Sequence, residues 1–215
     1  MKNKKIWVLI ALFIIPLVFY LFILTGKNEF ARLPVLTKKV GDITAFESKQ
    51  NNLSLDGKIS ILFFLGDDLD VAKSNAFNLN EKIYKHFYKF RDFQFIVVLP
   101  KGTEQQAVAL EKELAFATDM GKWHFIYGNR EQINNLFMSL KTNLSIKENG
   151  YAPYAFIIDK DRNLRGRTDD EDMANQILYG YNSESVAPIH NKMVDDVKVL
   201  VAEYRLALKK YKRDI

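Results

Sequence analysis

The carboxylates Asp67, Asp68 and Asp70 sit directly behind Gly66, where an apolar run gives way to a helical pattern. Hard oxygen donors of this kind suit Mg²⁺ or Ca²⁺. The same residues at a helix start accept free backbone N–H groups and oppose the positive dipole end, and no further ligand lies near them in sequence. Capping is therefore the simpler role. The nitrogen donors are His86, His124 and His190, which form no close pair and no helical His-x-x-x-His spacing, so a metal would need them gathered by the fold. Asp159-Lys160-Asp161-Arg162-Asn163 begins like a calcium loop, but Leu164 stands where glycine is needed and Asp170 where glutamate closes the loop. A hairpin turn fits it better. Met120, Met138, Met173 and Met193 could supply thioethers to copper only if the fold brought them together.

The chain has 215 residues and no cysteine, which excludes disulfide exchange, thiolate catalysis and thiolate metal sites. There is no Ser/His/Asp arrangement, no phosphate-cradling glycine loop and no useful pair of acid/base carboxylates. The expectation is a protein that is not an enzyme, with no catalytic residue, cofactor or resident metal. The formal charge is +5, but Lys2, Lys4 and Lys5 supply three of those charges. The near-even remainder excludes a nucleic-acid footprint. The basic cluster Lys209, Lys210, Lys212 and Arg213 suits the end of its own helix before it suggests a partner.

The elements that must position these residues follow from apolar spacing. Residues 59–65 form a short, wholly apolar strand pattern broken only by Ser60, closed by Gly66. The helix behind it shows one stripe, Ala72, Ala76, Leu79, Ile83, Phe87 and Phe90. A second strand is expected at 93–99, then a helix from a Thr103/Gln106 capping box to about Asp119. A third strand is expected at 123–127, and a helix capped by Asn129 with Ile133, Leu136, Phe137 and Leu140 inward. A fourth strand is expected at 154–159, turning into Leu164-Arg165-Gly166. The run 169–172 should open a short helix with Ile177 and Leu178 inward. Ile189, Met193, Val197, Leu200, Tyr204, Leu208 and Tyr211 mark a last helix. Residues 42–56 suggest a hairpin ahead of the first strand. Alternating strands and helices imply parallel units, with the closing hairpin as an antiparallel edge.

Ahead of this domain (42–215) lie a basic tail (1–5), an unbroken apolar run (6–24) and a polar segment (25–41) that reads as a tether. As a helix the run would be about 28 Å long at about 1.5 Å per residue, close to the hydrocarbon thickness. The basic tail favours a cytoplasmic N-terminus and an exported domain. The expectation is a single-pass anchor in the cytoplasmic membrane with the domain on the periplasmic side. No A-x-A-like cleavage site follows the run, which argues against a removable signal peptide.

The order of elements, with Gly57-Lys58 leading into Phe63-Phe64, Trp123-His124-Phe125-Ile126-Tyr127-Gly128, and Ile157-Ile158-Asp159-Lys160 before Leu164-Arg165-Gly166, resembles the SCO/SenC branch of the thioredoxin superfamily. The resemblance spans nearly the whole chain and implies a thioredoxin-like α/β fold: a mixed sheet flanked by helices behind a single transmembrane helix. It implies membrane-anchored proteins that help assemble cytochrome c oxidase through copper and thiols, and so a respiratory-complex or other membrane-protein partner. Laying the family's Cys-x-x-x-Cys and distal His on this chain puts Asp68 and Ala72 at the two thiols and Tyr151, within one residue, at the imidazole. All three ligands are missing. The resemblance thus implies a degenerate, non-catalytic assembly or interaction protein. The alternative is a copper or zinc carrier that uses Asp68, a histidine and Tyr151.

Overall fold

The computed structural model describes residues 2–24 and 32–211. They belong to two compact units, Met1–Ala31 and Arg32–Ile215. The first holds one helix, α1 (Lys2–Leu24), with Pro16 inside it. Its large apolar side chains, among them Trp7, Phe13 and Phe22, are exposed. Among the described residues no helix is long and apolar enough to cross a membrane. The transmembrane span expected at 6–24 is therefore not supported.

The second unit is one mixed sheet with helices on both faces. In chain order its elements are β1 (Val35–Thr37), β2 (Glu47–Ser48), β3 (Ile59–Leu65), α2 (Leu69–Leu79), β4 (Phe93–Pro100), α3 (Glu104–Ala115), β5 (Trp123–Gly128), α4 (Arg130–Ser139), β6 (Tyr151–Ile158), β7 (Leu164–Arg165), β8 (Tyr181–Asn182) and α5 (Val194–Tyr211). The helix begun by α2 continues through a π-helical turn, Asn80–Tyr84, to Phe87. A short helix, Val186–Pro188, and a second π-helical turn, Ile189–Met193, lead into α5. The sheet order is β1-β7-β6-β3-β4-β5-β2, with β8 pairing β6. β3, β4 and β5 run parallel, as the alternating pattern predicts. The β6–β7 hairpin is antiparallel as expected but is not the edge: β6 pairs with β3 inside the sheet and β1 pairs outside β7.

β3 is buried on both faces, so its side chains feed two cores alternately. Ile61, Phe63 and Leu65 join Ala72, Ala76, Leu114 and Leu200 on one face. Leu62 and Phe64 join Ile133, Phe137, Val40 and Leu55 on the other. Phe63 meets Phe95 and Trp123 edge-on at 5.8 and 5.7 Å between ring centres.

Several boundaries differ from expectation. Residues 42–56 form no hairpin. Asp42 accepts hydrogen bonds from the backbone of Ile43 and Leu55 and from Ser54, which closes the segment as a loop, and Glu47–Ser48 pairs with β5 instead. The tether expected through residue 41 already contributes β1, with Leu33, Thr37 and Val40 buried; residues 25–31 lie outside those described. The run 169–172 opens no helix, because Asp170 is buried against Lys192 and Leu178 bridges back to Arg167. Leu178 is inward as expected. The Thr103/Gln106 capping box does not form: Thr103 donates to the Pro100 carbonyl, and Gln106 turns elsewhere.

Truncating Phe63 leaves a cavity at the meeting of three aromatic rings. Phe63→Ala should lower unfolding free energy by about 3–5 kcal/mol in chemical denaturation, as core Phe truncations do. A loss below about 1 kcal/mol would contradict its central place.

Candidate functional site

The candidate site forms where β3 ends. Gly66 has φ +70°, and a Cβ there would approach the Tyr151 Cβ to 2.8 Å, so the turn requires glycine. Asp67 accepts a hydrogen bond from the Asn149 amide at 2.9 Å. Asp68 caps α2 by accepting from the Val71 backbone N–H at 3.2 Å. The next free N–H of the helix, that of Leu69, donates to the Gln106 side chain at 3.1 Å. That is why Gln106 is not available to cap its own helix.

The antiparallel register sets Leu65 opposite Tyr151 and Phe64 opposite Ala152. β6 therefore starts three residues earlier than expected, and Tyr151 reaches the first turns of α2. Its hydroxyl donates to Glu184 Oε1 at 2.6 Å and accepts from Asn75 Nδ2 at 3.0 Å. Asn75 Nδ2 also donates to Ser183 Oγ at 3.0 Å, and Ser183 Oγ donates to the Pro153 carbonyl at 3.1 Å. Asn78 donates to the Ser183 carbonyl at 3.0 Å. Lys147 Nζ lies 5.0 Å from the centre of the Tyr151 ring.

Asp68, Ala72 and Tyr151 line one cleft of about 370 Å³, together with Val71, Lys147 and Glu184. The three positions picked out in the sequence are thus brought together. Asn75, Ser183 and Glu184, which complete the network, had no sequence signal: each is an ordinary polar residue until the fold places it beside Tyr151. Burial, then the hydrogen bond to Glu184, pushes the Tyr151 hydroxyl up to about 12. It is a held proton donor and not a ready base.

The other candidates lie elsewhere. None of the three histidines lines this cleft. His86 and His190 are exposed on helical turns, and His124 is half-buried in β5, where desolvation and then Lys58 push its pKa down. Among the described residues no three His, Cys, Asp or Glu side chains converge as a metal site would require. Met193 is in the core while Met138 and Met173 are exposed. Asp159 accepts from the backbone of Asp161 and Asn163 and pairs with Arg165 at 2.9 Å, so the calcium-like run is the hairpin turn. The side chains of Lys209, Lys210, Lys212 and Arg213 lie outside the described residues.

The buried tyrosines predict a domain that loses stability in alkali. Burial raises Tyr84, Tyr127, Tyr151, Tyr181 and Tyr204, with Asp196 adding to Tyr181. A raised tyrosine stabilises the folded state fully below its ordinary value near 10 and loses that contribution as pH rises through the folded value. Urea midpoints should hold level to about pH 9 and fall between about pH 10 and 12. Tyr151→Phe should lower the plateau by about 1–2 kcal/mol and make the fall shallower. An equal slope in the variant would contradict the placement of Tyr151.

No protein-family model and no curated protein matches the chain. Among solved structures, it is similar to BsSco, described as a member of the Sco family of cytochrome c oxidase assembly proteins with a disulfide switch. That likeness covers 79% of this chain and 97% of the other at 16% identity, with a TM-score of 0.55. The soluble domain of Sco1 from Bacillus subtilis matches over 77% and 94% at 16% identity and a TM-score of 0.46. Copper-bound ScoI from Bradyrhizobium japonicum matches over 75% and 98% at 14% identity and a TM-score of 0.45. At these identities the likeness establishes architecture alone: the chain has the thioredoxin-like fold found in the Sco protein BsSco.

Proposed function

We propose that this chain is a degenerate member of the SCO/SenC family: a membrane-anchored, exported, non-catalytic protein that works by binding a partner during cytochrome c oxidase assembly. One observation carries the proposal. The positions that match the family's two thiols and imidazole converge on one cleft, and there they are a spent capping carboxylate, a methyl group and a hydrogen-bonded phenol. A fold keeps its surface when such atoms are lost, because its core does not depend on them. The carrier alternative lacks its imidazole, since no histidine lines the cleft.

The membrane part of the proposal rests on the sequence of residues 6–24, on the basic tail ahead of it, and on the exposed apolar side chains around α1. On this proposal the N-terminus stays in the cytoplasm and the domain faces the periplasm. Protease added to intact spheroplasts should then digest the domain and leave the anchor. Protection of residues 32–211 would overturn that orientation.

The full chain, purified from detergent-solubilised membranes, should carry oxidase subunits with it, and a copper chelator should not release them. The protein alone should reduce no disulfide substrate and should lose Cu(I) to a moderate chelator, because thiolates supply most Cu(I) affinity. Stoichiometric copper that survives the chelator and is lost in Asp68→Ala would replace this function with metal carriage.

A further inference from the structure

The end of the sheet opposite the Tyr151 cleft gathers cations around one turn, Phe90–Arg91–Asp92, ahead of β4. The Asp92 carbonyl accepts from the Ile59 N–H, which sets Lys58 beside the turn. The seven residues of β3, about 20 Å at about 3.3 Å each, separate this end from Gly66. Lys122, just ahead of β5, donates through Nζ to the carbonyls of Phe90 and Arg91. Lys160, in the β6–β7 turn, meets Asp92 at 2.5 Å and lies 5.7 Å from the centre of the Phe90 ring and 5.2 Å from that of Tyr204. Arg205, on α5, lies 5.6 Å from the same Phe90 ring.

Carboxylates do not balance these cations. Asp92 is shared between Lys160 and Arg91. Asp119 accepts from the Gly121 N–H, Asp56 faces Arg162 at 3.9 Å, and Asp161 stands exposed in the β6–β7 turn. Among the described residues Lys58 and Arg205 make no ion pair, and Lys122 donates only to carbonyls. Desolvation and then Lys58 push the Lys122 amine below its usual range, as crowded cations require. The half-buried rings of Tyr88, Phe90 and Tyr204 stand among the cations. Past Arg205 the sequence adds Lys209, Lys210, Lys212 and Arg213.

Cations interleaved with aromatic rings suit a membrane interface, where phosphates meet the charges and the rings sit at head-group level. These cations come from separate elements around an exposed turn, so the many phosphates of a lipid surface match them better than one free anion. In the function proposed above only seven residues, 25–31, hang the domain from its anchor, so lipid is present at high effective concentration.

We propose that the end of the domain centred on Phe90–Asp92 docks on an anionic lipid surface and so holds the Tyr151 cleft away from the bilayer, toward the partner. This rests on the anchored reading above and adds the orientation in which the partner is met.

The native chain has no cysteine, so one introduced thiol carries the only label. The full chain is reconstituted into vesicles of phosphatidylcholine, alone or mixed with phosphatidylglycerol, that contain a lipid with a spin-labelled head group. A fluorophore on Lys89→Cys, beside the turn, should be quenched in the mixed vesicles and not in phosphatidylcholine alone, and raised salt should relieve the quenching. A fluorophore on Glu148→Cys, in the loop before β6, should be quenched in neither. Lys58→Gln breaks no ion pair and should lower the ratio of docked to free domain about fivefold, as loss of one cation near an anionic surface does. Arg205→Gln repeats that test on a second element. Quenching that ignores lipid charge, that is equal at both positions, or that both variants leave unchanged overturns the proposal. Chain washed from both kinds of vesicle by carbonate would overturn the anchored reading and this inference with it. Unquenched Lys89→Cys on chain that stays would overturn the docking face alone.

Discussion

The pairing of β3 with β6 decides what this domain can do. Six residues of β3 lie opposite six of β6, with one irregularity between Phe63 and Phe64. That irregularity shifts the register, so Leu65 ends opposite Tyr151. Gly66 can then turn tightly against the Tyr151 Cβ, and α2 starts within reach of the Tyr151 hydroxyl. A one-residue slip would turn Tyr151 to the opposite face and take the cleft apart. The site is therefore a consequence of strand register before it is a matter of side-chain chemistry.

Buried charge holds the far side of the same sheet. Arg165 is bound by Asp159 at 2.9 Å and Glu203 at 2.7 Å, tying the β6–β7 hairpin to α5. Arg167 is clamped by both oxygens of Asp196, which also accepts from the Tyr181 hydroxyl at 2.5 Å. Lys192 closes on Asp170 at 2.7 Å. Breaking one partner of such a buried set leaves an uncompensated charge, whereas replacing the whole set with apolar residues costs far less. These pairs fix where the segment from 167 to 182 lies, and Met173, Tyr179 and Asn182 of that segment line a second cleft of about 420 Å³.

Much of this was legible in the chain. The apolar runs at 59–65, 93–99 and 123–127 are short and closed by Gly66, Pro100 and Gly128, which marks them as strands, and the stripes of the helices around them repeat at the helical period. Asn129 caps its helix because its amide accepts from Gln132. The residues that defeated sequence logic answer to distant partners. Gln106 abandons Thr103 for Leu69 across a helix–helix gap, and Asp170 prefers Lys192 to the start of a helix. Asp42 folds its own segment into a loop. Asn75, Ser183 and Glu184 acquire meaning only beside Tyr151. Capping and hairpin rules count neighbours in sequence, and each of these residues spends its hydrogen bonds far away in sequence or across a loop.

On the proposed function, the cleft is a thiol–imidazole site in position, lacking only the atoms. The most direct measurement is the copper content of the triple variant Asp68→Cys, Ala72→Cys, Tyr151→His after Cu(I) loading and gel filtration against a moderate chelator. The account predicts one equivalent retained by the variant and none by the native chain. A folded triple variant that retains no more copper than the native protein would contradict it.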